Sequence, residues 1–260
     1  MELANYTLEV LSFLFVIGIL AGFLDTLAGG GGLLAIPALM ISGMPPLLAL
    51  GTNKLQASVG IGTATLLLFR KKKFGWNEVK ASVLFAFIGS LIGAIIVQFI
   101  NTEILSLVIP IVLGFIALYF IVSPGVKNTD RSSVPKRSSQ NIVVSIIGCY
   151  DGMFGPGAGS FYVLTGVALK RLDLIRSAIQ AKPLNFASNV ASMVVFISFG
   201  QVAWLIGLLM MSGQVIGASI GAHYLVKANP KVIRLLIVSM SCAMLIRYSY
   251  SMGWLSWTIW

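Results

Sequence analysis

Long apolar runs separated by short polar connections make up most of this chain. Several of them reach the roughly 20 residues that a helix needs to cross a hydrocarbon core about 30 Å thick, and others are shorter. The pattern predicts an all-α polytopic membrane protein with eight to ten transmembrane segments. The runs are Leu8–Ala28, Leu33–Met44, Leu55–Phe69, Val79–Ile100, Ile104–Val122, Ile142–Phe154, Phe161–Leu169, Pro183–Phe199, Val202–Leu225 and Val232–Tyr248.

The amino-acid composition also indicates a protein embedded in a lipid bilayer. Of the 260 residues, 57% are hydrophobic and 10% are charged, whereas soluble domains are about one quarter charged. The net charge of +10 comes from basic residues between the apolar runs, so we expect no nucleic-acid partner. Cys149 and Cys242 stand singly in apolar runs, and we expect both to be packing residues. No metal or cofactor motif is predicted.

The chain compares well with itself at an offset of about 128 residues. This offset places Lys54 on Lys182, Trp76 on Trp204, and "GSLIGA" on "GASIGA". We therefore predict a first transmembrane repeat over 1–122, a linker over 123–140 and a second repeat over 141–260. Each repeat holds about five helical elements, the third of which is predicted to begin at its lysine.

The basic loops alternate between the repeats. Arg70–Lys73 in the first repeat corresponds to uncharged residues in the second, while Lys170, Arg171 and Arg176 have no basic counterparts in the first. A repeat with an odd number of crossings turns its second copy upside down, so only one of two equivalent loops is cytoplasmic and basic. The pattern predicts inverted topology, with the N-terminus outside and the linker in the cytoplasm.

Two glycine-rich stretches, "DTLAGGGGLLAIPAL" and "GCYDGMFGPGAGSF", are predicted to break their helices. Freed backbone groups survive in a membrane only where protein or a water-filled cavity covers them. Short helices starting near Leu33 and Ser160 would then point their positive N-termini at an anion near the midplane. The alternative is that the glycines only allow tight packing, and the pattern leaves open whether the short helices span or re-enter.

Asp25 and Asp151 lie one turn before these breaks. An ionised carboxylate there costs roughly 2.5–3.5 kcal/mol on insertion scales, so each needs partners. One interpretation is structural, with the carboxylate accepting hydrogen bonds from N–H groups of the glycine turn. The other is that these residues carry protons during transport.

Lys54 and Lys182 are each followed by polar residues at helical spacing. Facing the two helix N-termini, they would form an anion site without a permanent counter-ion. The alternative is that the lysines snorkel from helix ends while asparagines join helices. The predicted binding residues are Gly29, Gly30, Gly31, Gly32, Asn53, Lys54, Gln56, Gly155, Gly157, Gly159, Ser160, Lys182, Asn185 and Asn189.

Ser160 and the single histidine, His223, suggest a rival class, an intramembrane serine hydrolase with a Ser/His dyad. Ser160 has no serine counterpart in the other repeat, and the predicted topology places His223 towards the cytoplasm. We therefore predict that the protein is not an enzyme.

Taken together, "DTLAGGGGLLAIPAL", "GMPPLLALGTNKLQ", "GCYDGMFGPGAGSF" and "AKPLNFASN" resemble the TauE/SafE family of sulfite exporters. The resemblance covers nearly the whole chain. It implies a secondary carrier of the cytoplasmic, or inner, membrane for small sulfur-containing anions such as sulfite, thiosulfate or organosulfonates. The matching positions are Gly29–Gly32, Pro37, Asn53, Lys54, Asp151, Gly155–Gly159, Lys182, Asn185 and Asn189.

We therefore predict a multi-pass secondary transporter, an exporter that works by alternating access. A passive anion channel needs the same cavity and is the alternative. The sequence leaves open the anion, the direction, the coupling ion and the oligomeric state, a homodimer included.

Overall fold

The computed structural model describes residues 7–101, 103–105, 108, 111 and 137–226. Most of the predicted segment 104–122, nearly all of the linker, Cys242 and the last predicted segment lie outside the described residues. Within them, the regular structure is entirely helical. Eight helices have defined bounds: α1 Leu8–Ala28, α2 Gly32–Ile41, α3 Pro46–Arg70, α4 Trp76–Gln98, α5 Arg137–Met153, α6 Ala158–Lys170, α7 Leu174–Ser198 and α8 Trp204–Leu225.

Three of the described helices, α1, α4 and α8, are long and apolar enough to cross a membrane by themselves. Helices α3 and α7 have 25 residues each, which corresponds to about 37 Å of helix. They are less apolar because each carries a stripe of buried polar residues. The prediction of an all-helical multi-pass membrane protein is confirmed.

Helices α3 and α7 cross at the centre of the protein and run in opposite directions. Gly51, near the start of α3, lies against Phe196 at the end of α7, whereas Gly62 lies against Phe186, three turns earlier on α7. Helix α8 runs parallel to α3, since Gly207 lies against Leu55 and Gln214 lies against Gly60. The third helices of the two predicted repeats, α3 and α7, therefore point in opposite directions.

Small residues allow the outer helices to approach closely. Gly89 and Gly93 of α4 lie against the backbone of Ser145 and Cys149 on α5, so these two helices run parallel. On the other side of the protein, Gly217 of α8 lies against the backbone of α1. A Cβ at any of these glycines would collide with main-chain atoms, as expected for small-residue packing between membrane helices.

The short helices α2 and α6 re-enter. Helix α2 folds back along α1, because Gly31 lies against Ala21, and Leu39 shares an apolar cluster with Leu14. Helix α6 folds back along α5, because the Gln140 side chain near the start of α5 donates to the Leu169 carbonyl at the end of α6. Each short helix thus returns to the end of the bundle from which the preceding helix started.

One end of the bundle, here the lysine-rich end, carries the α3–α4 and α6–α7 connections. Polar contacts cross it between Lys71 and His223 and between Lys170 and Ser82. The connections at the opposite end, 42–45 and 199–203, contain no basic residue. Except for Lys54 and Lys182, all Lys and Arg of the described chain lie at the lysine-rich end: Arg70, Lys71, Lys72, Lys73, Lys80, Arg137, Lys170, Arg171 and Arg176.

The predicted starts of the third elements are wrong. Helix α3 begins at Pro46 and α7 at Leu174, so that each lysine is the ninth residue of its helix. Proline is favoured at the first helical position, and Asp173 caps α7 by accepting a hydrogen bond from the Arg176 N–H. The polar residues before each lysine do not end the helix because they are buried against neighbouring helices.

Candidate functional site

The two helix breaks meet at the centre of the protein. Gly29, which ends α1, lies against the backbone of Gly159 in the first turn of α6. Gly29 has a φ of 77°, and Gly155 and Gly157 in the other break have φ values of 93° and 76°. Glycine adopts this left-handed conformation without strain, and only glycine leaves room for the contact. The predicted interruptions of both helices are therefore present, and protein covers them.

Further hydrogen bonds hold the breaks together. The Ser160 hydroxyl donates to the carbonyl of Ala28, one of the acceptors left free at the end of α1. Within the second break, the Tyr150 hydroxyl donates to the Pro156 carbonyl at 2.6 Å. Gly30 and Gly157 also lie at the breaks, where their carbonyls accept hydrogen bonds from the N–H groups in the first turns of α2 and α6.

Lys54 reaches from α3 to the second break. Its Nζ donates to the carbonyl of Asp151 at 2.5 Å and to the Asp151 Oδ1 at 2.6 Å, and its side chain is 1% exposed. The prediction that both lysines lack a permanent counter-ion is therefore wrong for Lys54. A buried ammonium is costly in an apolar interior, and a carboxylate from the other half of the chain offsets that cost.

Lys182 reaches from α7 to the first break. Its Nζ donates to the carbonyl of Asp25 at 2.9 Å, and the residue is fully buried. The Asp25 carboxylate accepts a hydrogen bond from the Gly31 N–H at 3.4 Å, which is the contact that the structural interpretation predicts for it. Snorkelling is excluded for both lysines, since neither reaches the surface.

Ser188 also belongs to the site, although it is not among the residues predicted from the sequence. Its hydroxyl donates to the Asp151 Oδ2, so both carboxylate oxygens of Asp151 have partners. The available signal was spacing, because Ser188 lies one turn after Asn185 on the polar stripe of α7. Serine is common in membrane helices as a packing residue, so its position alone did not indicate a contact with Asp151.

The amide side chains bond mainly within their own helices. Asn189 donates to the backbone and side-chain oxygens of Asn185 at 2.7 and 3.0 Å, and Gln56 donates to the Asn53 Oδ1 at 3.3 Å. The Nδ2 of Asn185 faces Gly159, and the Nδ2 of Asn53 faces Gly32. Rather than joining helices, these asparagines present N–H groups to the two glycine breaks.

The arrangement combines several features that attract an anion. Helices α2 and α6 both start at the breaks and run to opposite ends of the bundle, so their positive N-termini point at the same central region. Two ammonium groups and two amides surround that region, all buried. The buried carboxylates of Asp25 and Asp151 also lie in this region. Because Asp151 forms an ion pair with Lys54, an anion that approaches Lys54 would compete with a carboxylate of the protein.

Ser160 and His223 are not brought together. Ser160 bonds to the Ala28 carbonyl at the break, whereas His223 lies in the last turn of α8 and contacts Lys71 at the lysine-rich end. The dyad required by the hydrolase hypothesis is not formed.

Comparison with known proteins identifies the family. The model of the family described as "Sulfite exporter TauE/SafE" matches residues 14–248. The chain belongs to the TauE/SafE family. No solved structure matches the chain.

TauE/SafE relatives cover almost the whole chain. A probable membrane transporter protein of Haemophilus influenzae is 39% identical over 248 residues, which are 95% of this chain and 97% of the relative. The probable membrane transporter protein ORF9 of Sinorhizobium sp is 41% identical over 92% of each chain. The probable membrane transporter protein YfcA of Escherichia coli is 40% identical over 93% of this chain and 90% of its own. This protein is therefore a membrane transporter, and the prediction that it is not an enzyme is confirmed.

Proposed function

We propose that this TauE/SafE protein is a secondary transporter that exports small sulfur-containing anions, such as sulfite, thiosulfate or organosulfonates, across the cytoplasmic membrane. The observation that carries the proposal is the meeting of two broken helices, with Lys54 and Lys182 buried beside them. Broken helices of this kind form the substrate sites of inverted-repeat carriers. The family description supports a sulfur anion as the substrate.

We propose two repeats of inverted topology, 1–122 and 141–260, joined by the linker 123–140. The opposite directions of α3 and α7 support this arrangement, as do the matched pairs of α1 with α8 and α4 with α5. Each lysine contacts the broken helix of the other repeat. A rocking motion of one repeat against the other would then open the central site to each side of the membrane in turn.

The lysine-rich end is proposed to face the cytoplasm, and the N-terminus the outside. Basic residues accumulate on the cytoplasmic side of membrane proteins, and the described connections at the opposite end contain none.

Counterflow distinguishes the proposed carrier from a passive anion channel. Purified protein is reconstituted into vesicles that are loaded with unlabelled sulfite, and uptake of labelled sulfite is followed from outside. A carrier shows faster uptake when the same anion is present inside, whereas a channel shows no such stimulation. Uptake that is unaffected by internal anion would reject alternating access.

The substrate class is tested with a panel. Sulfite, thiosulfate, sulfoacetate and sulfate are compared with phosphate and acetate as ligands that raise the unfolding temperature of the purified protein. Stabilisation by sulfur anions at lower concentration than by the others is expected. Equal effects of all anions would reject a specific role in sulfur-anion transport.

A further inference from the structure

The two lysine–aspartate contacts are equivalent in position but differ in detail. Lys54 donates to the carbonyl and the carboxylate of Asp151, which Ser188 also holds. Lys182 donates only to the backbone carbonyl of Asp25, and no carboxylate of the described residues lies within ion-pair distance of it. The Lys54–Asp151 contact contains an ion pair, and we call its side of the site closed. The Lys182–Asp25 contact contains none, and we call its side open.

Two sequence differences between the repeats coincide with this asymmetry. At the offset that aligns Lys54 with Lys182, Ser188 corresponds to Gly60. Position 60 therefore has no hydroxyl that could donate a hydrogen bond to the Asp25 carboxylate. At the same offset, Ala86 of α4 corresponds to Gln214 of α8. The open side thus lacks an anchoring hydroxyl and has an additional amide.

Gln214 lies in a confined place. Its side-chain oxygen occupies the space beside Gly22 of α1 and Gly60 of α3, where a Cβ on either glycine would collide with it. The residue is 1% exposed, and neither its Oε1 nor its Nε2 has a hydrogen-bond partner among the described residues. Gly22 lies three residues before Asp25 on α1, so this amide contacts α1 about one helical turn from the residue whose carbonyl Lys182 contacts.

An unpaired amide in the interior of a membrane protein needs an explanation. Leaving a buried donor or acceptor without a partner costs about 1–3 kcal/mol, and an apolar side chain of similar size would avoid this cost. Ala86 shows that the fold accepts a small apolar residue at the equivalent position, where the backbone of Gly148 lies against it. The amide is therefore not required for the packing of α8 on α1.

We propose that Lys182 and Gln214 contact the transported anion, while Lys54, Asp151 and Ser188 form a fixed brace between the repeats. This assignment rests on the transport function proposed above. It makes Gln214 a substrate-contacting residue and divides the two lysines between binding and support.

The chemistry of the two sides fits this division. An oxyanion accepts hydrogen bonds, and Lys182 with the Gln214 amide supplies an ammonium and N–H donors that form no ion pair with a carboxylate of the described residues. At Lys54 an anion would have to displace the Asp151 carboxylate, which Ser188 holds in place. Breaking a buried ion pair in this way is strongly unfavourable.

The first test compares Gln214→Leu with the matched variant Gln98→Leu. Gln98 lies near the end of α4 and donates to the Ala94 carbonyl of its own helix, away from the site. Sulfite binding is measured by titration calorimetry on the purified full-length protein. We expect Gln214→Leu to weaken binding by about tenfold or more and to keep or raise the unfolding temperature, because it removes an unpaired polar group. Gln98→Leu should bind sulfite as the wild type does.

Binding by Gln214→Leu within twofold of the wild type would overturn the assignment of Gln214. It would indicate an amide that holds only a buried water. If Gln214→Leu does not fold, Gln214→Met, which keeps the side-chain length and removes the amide, must give the same loss of affinity.

The second test addresses the brace. Without any anion, Lys54→Met should lower the unfolding temperature, because it leaves Asp151 buried without its counter-ion, and Lys54→Met with Asp151→Leu should recover most of the loss. The recovered double variant should bind sulfite more tightly than Lys182→Met, which should lose about tenfold or more in affinity. A double variant as defective in binding as Lys182→Met would overturn the division.

Failure of the proposed function would be distinguishable from failure of this assignment. If the wild type binds phosphate or acetate and no sulfur anion, the substrate class is rejected, and the same variants measured with that anion decide the roles of Lys182 and Gln214. If the wild type binds no anion of the panel, both proposals are rejected.

Discussion

Lys54 and Lys182 occupy the same position, the ninth of 25 residues, in two helices that run in opposite directions. Each lysine extends to an aspartate backbone carbonyl near the end of a broken helix in the other half of the chain. The centre of the protein is therefore held by reciprocal contacts between the halves. A motion of one half relative to the other must change these contacts, which places the candidate site where alternating access would act.

The contact between Gly29 and Gly159 predicts a large cost for a methyl group there. Gly29→Ala would place a Cβ in the backbone of α6, in addition to straining a residue with positive φ. We expect the strain alone to cost about 1–2 kcal/mol and the collision to add about 1–3 kcal/mol. The unfolding temperature of the purified variants measures both.

Gly43→Ala is the matched control for this prediction. Gly43 also has a positive φ, 88°, but no atom lies within 4 Å of the position that its Cβ would take. The difference between the two variants isolates the contact of the breaks. Equal losses of stability in Gly29→Ala and Gly43→Ala would show that the two breaks do not touch.

Much of the fold could be predicted from sequence because the bilayer limits the choices. Apolar runs gave the helices, and the predicted bounds of the first one, Leu8–Ala28, agree with α1. The glycine runs located both breaks, since no other residue tolerates those backbone angles as readily. The predicted start of α3 is too late, because the polar residues before Lys54 interrupt the apolar run of this helix. These polar residues are compatible with a helix because they are buried against neighbouring helices.

The partners within the site could not be predicted in the same way. Repeat comparison matched Lys54 with Lys182 and suggested equal roles for them. It did not show that Asp151 closes one pair while Asp25 accepts from Gly31 in the other. The Lys54–Asp151 and Lys182–Asp25 contacts join helices at residues 97 and 157 positions apart in sequence, for which hydrophobic periodicity carries no signal.

Ser160 is predicted to support the break without taking part in chemistry. Ser160→Ala removes the hydrogen bond to the Ala28 carbonyl, and we expect it to destabilise the protein by about 1–3 kcal/mol. Counterflow of sulfite should remain largely intact. Ser198→Ala, which removes a bond to Val194 on an exposed turn of α7, should cost less. Complete loss of transport by well-folded Ser160→Ala would require a direct role for this hydroxyl.

The glycines between α4 and α5 are predicted to be required for helix packing. Gly93→Leu would force a large side chain against the Cys149 backbone, so we expect a loss of folded protein after extraction from the membrane. Ile92→Ala, at the neighbouring residue that is 51% exposed on the outer surface, is the control and should be tolerated. Folded yield is measured by size-exclusion chromatography. Normal yield of Gly93→Leu would show that α4 and α5 do not pack along this face.

The sidedness of the loops tests the proposed topology. Single cysteines at Lys73 and Ser198, in a background with Cys149 and Cys242 replaced by alanine, lie at opposite ends of the bundle and are exposed. Because basic residues face the cytoplasm, a membrane-impermeant thiol reagent added to intact cells should label Ser198→Cys and leave Lys73→Cys unlabelled. Inside-out vesicles should give the reverse result. Labelling of both positions from the same side would contradict the orientation of α3 and α7, and with it the inverted repeats on which the transport proposal depends.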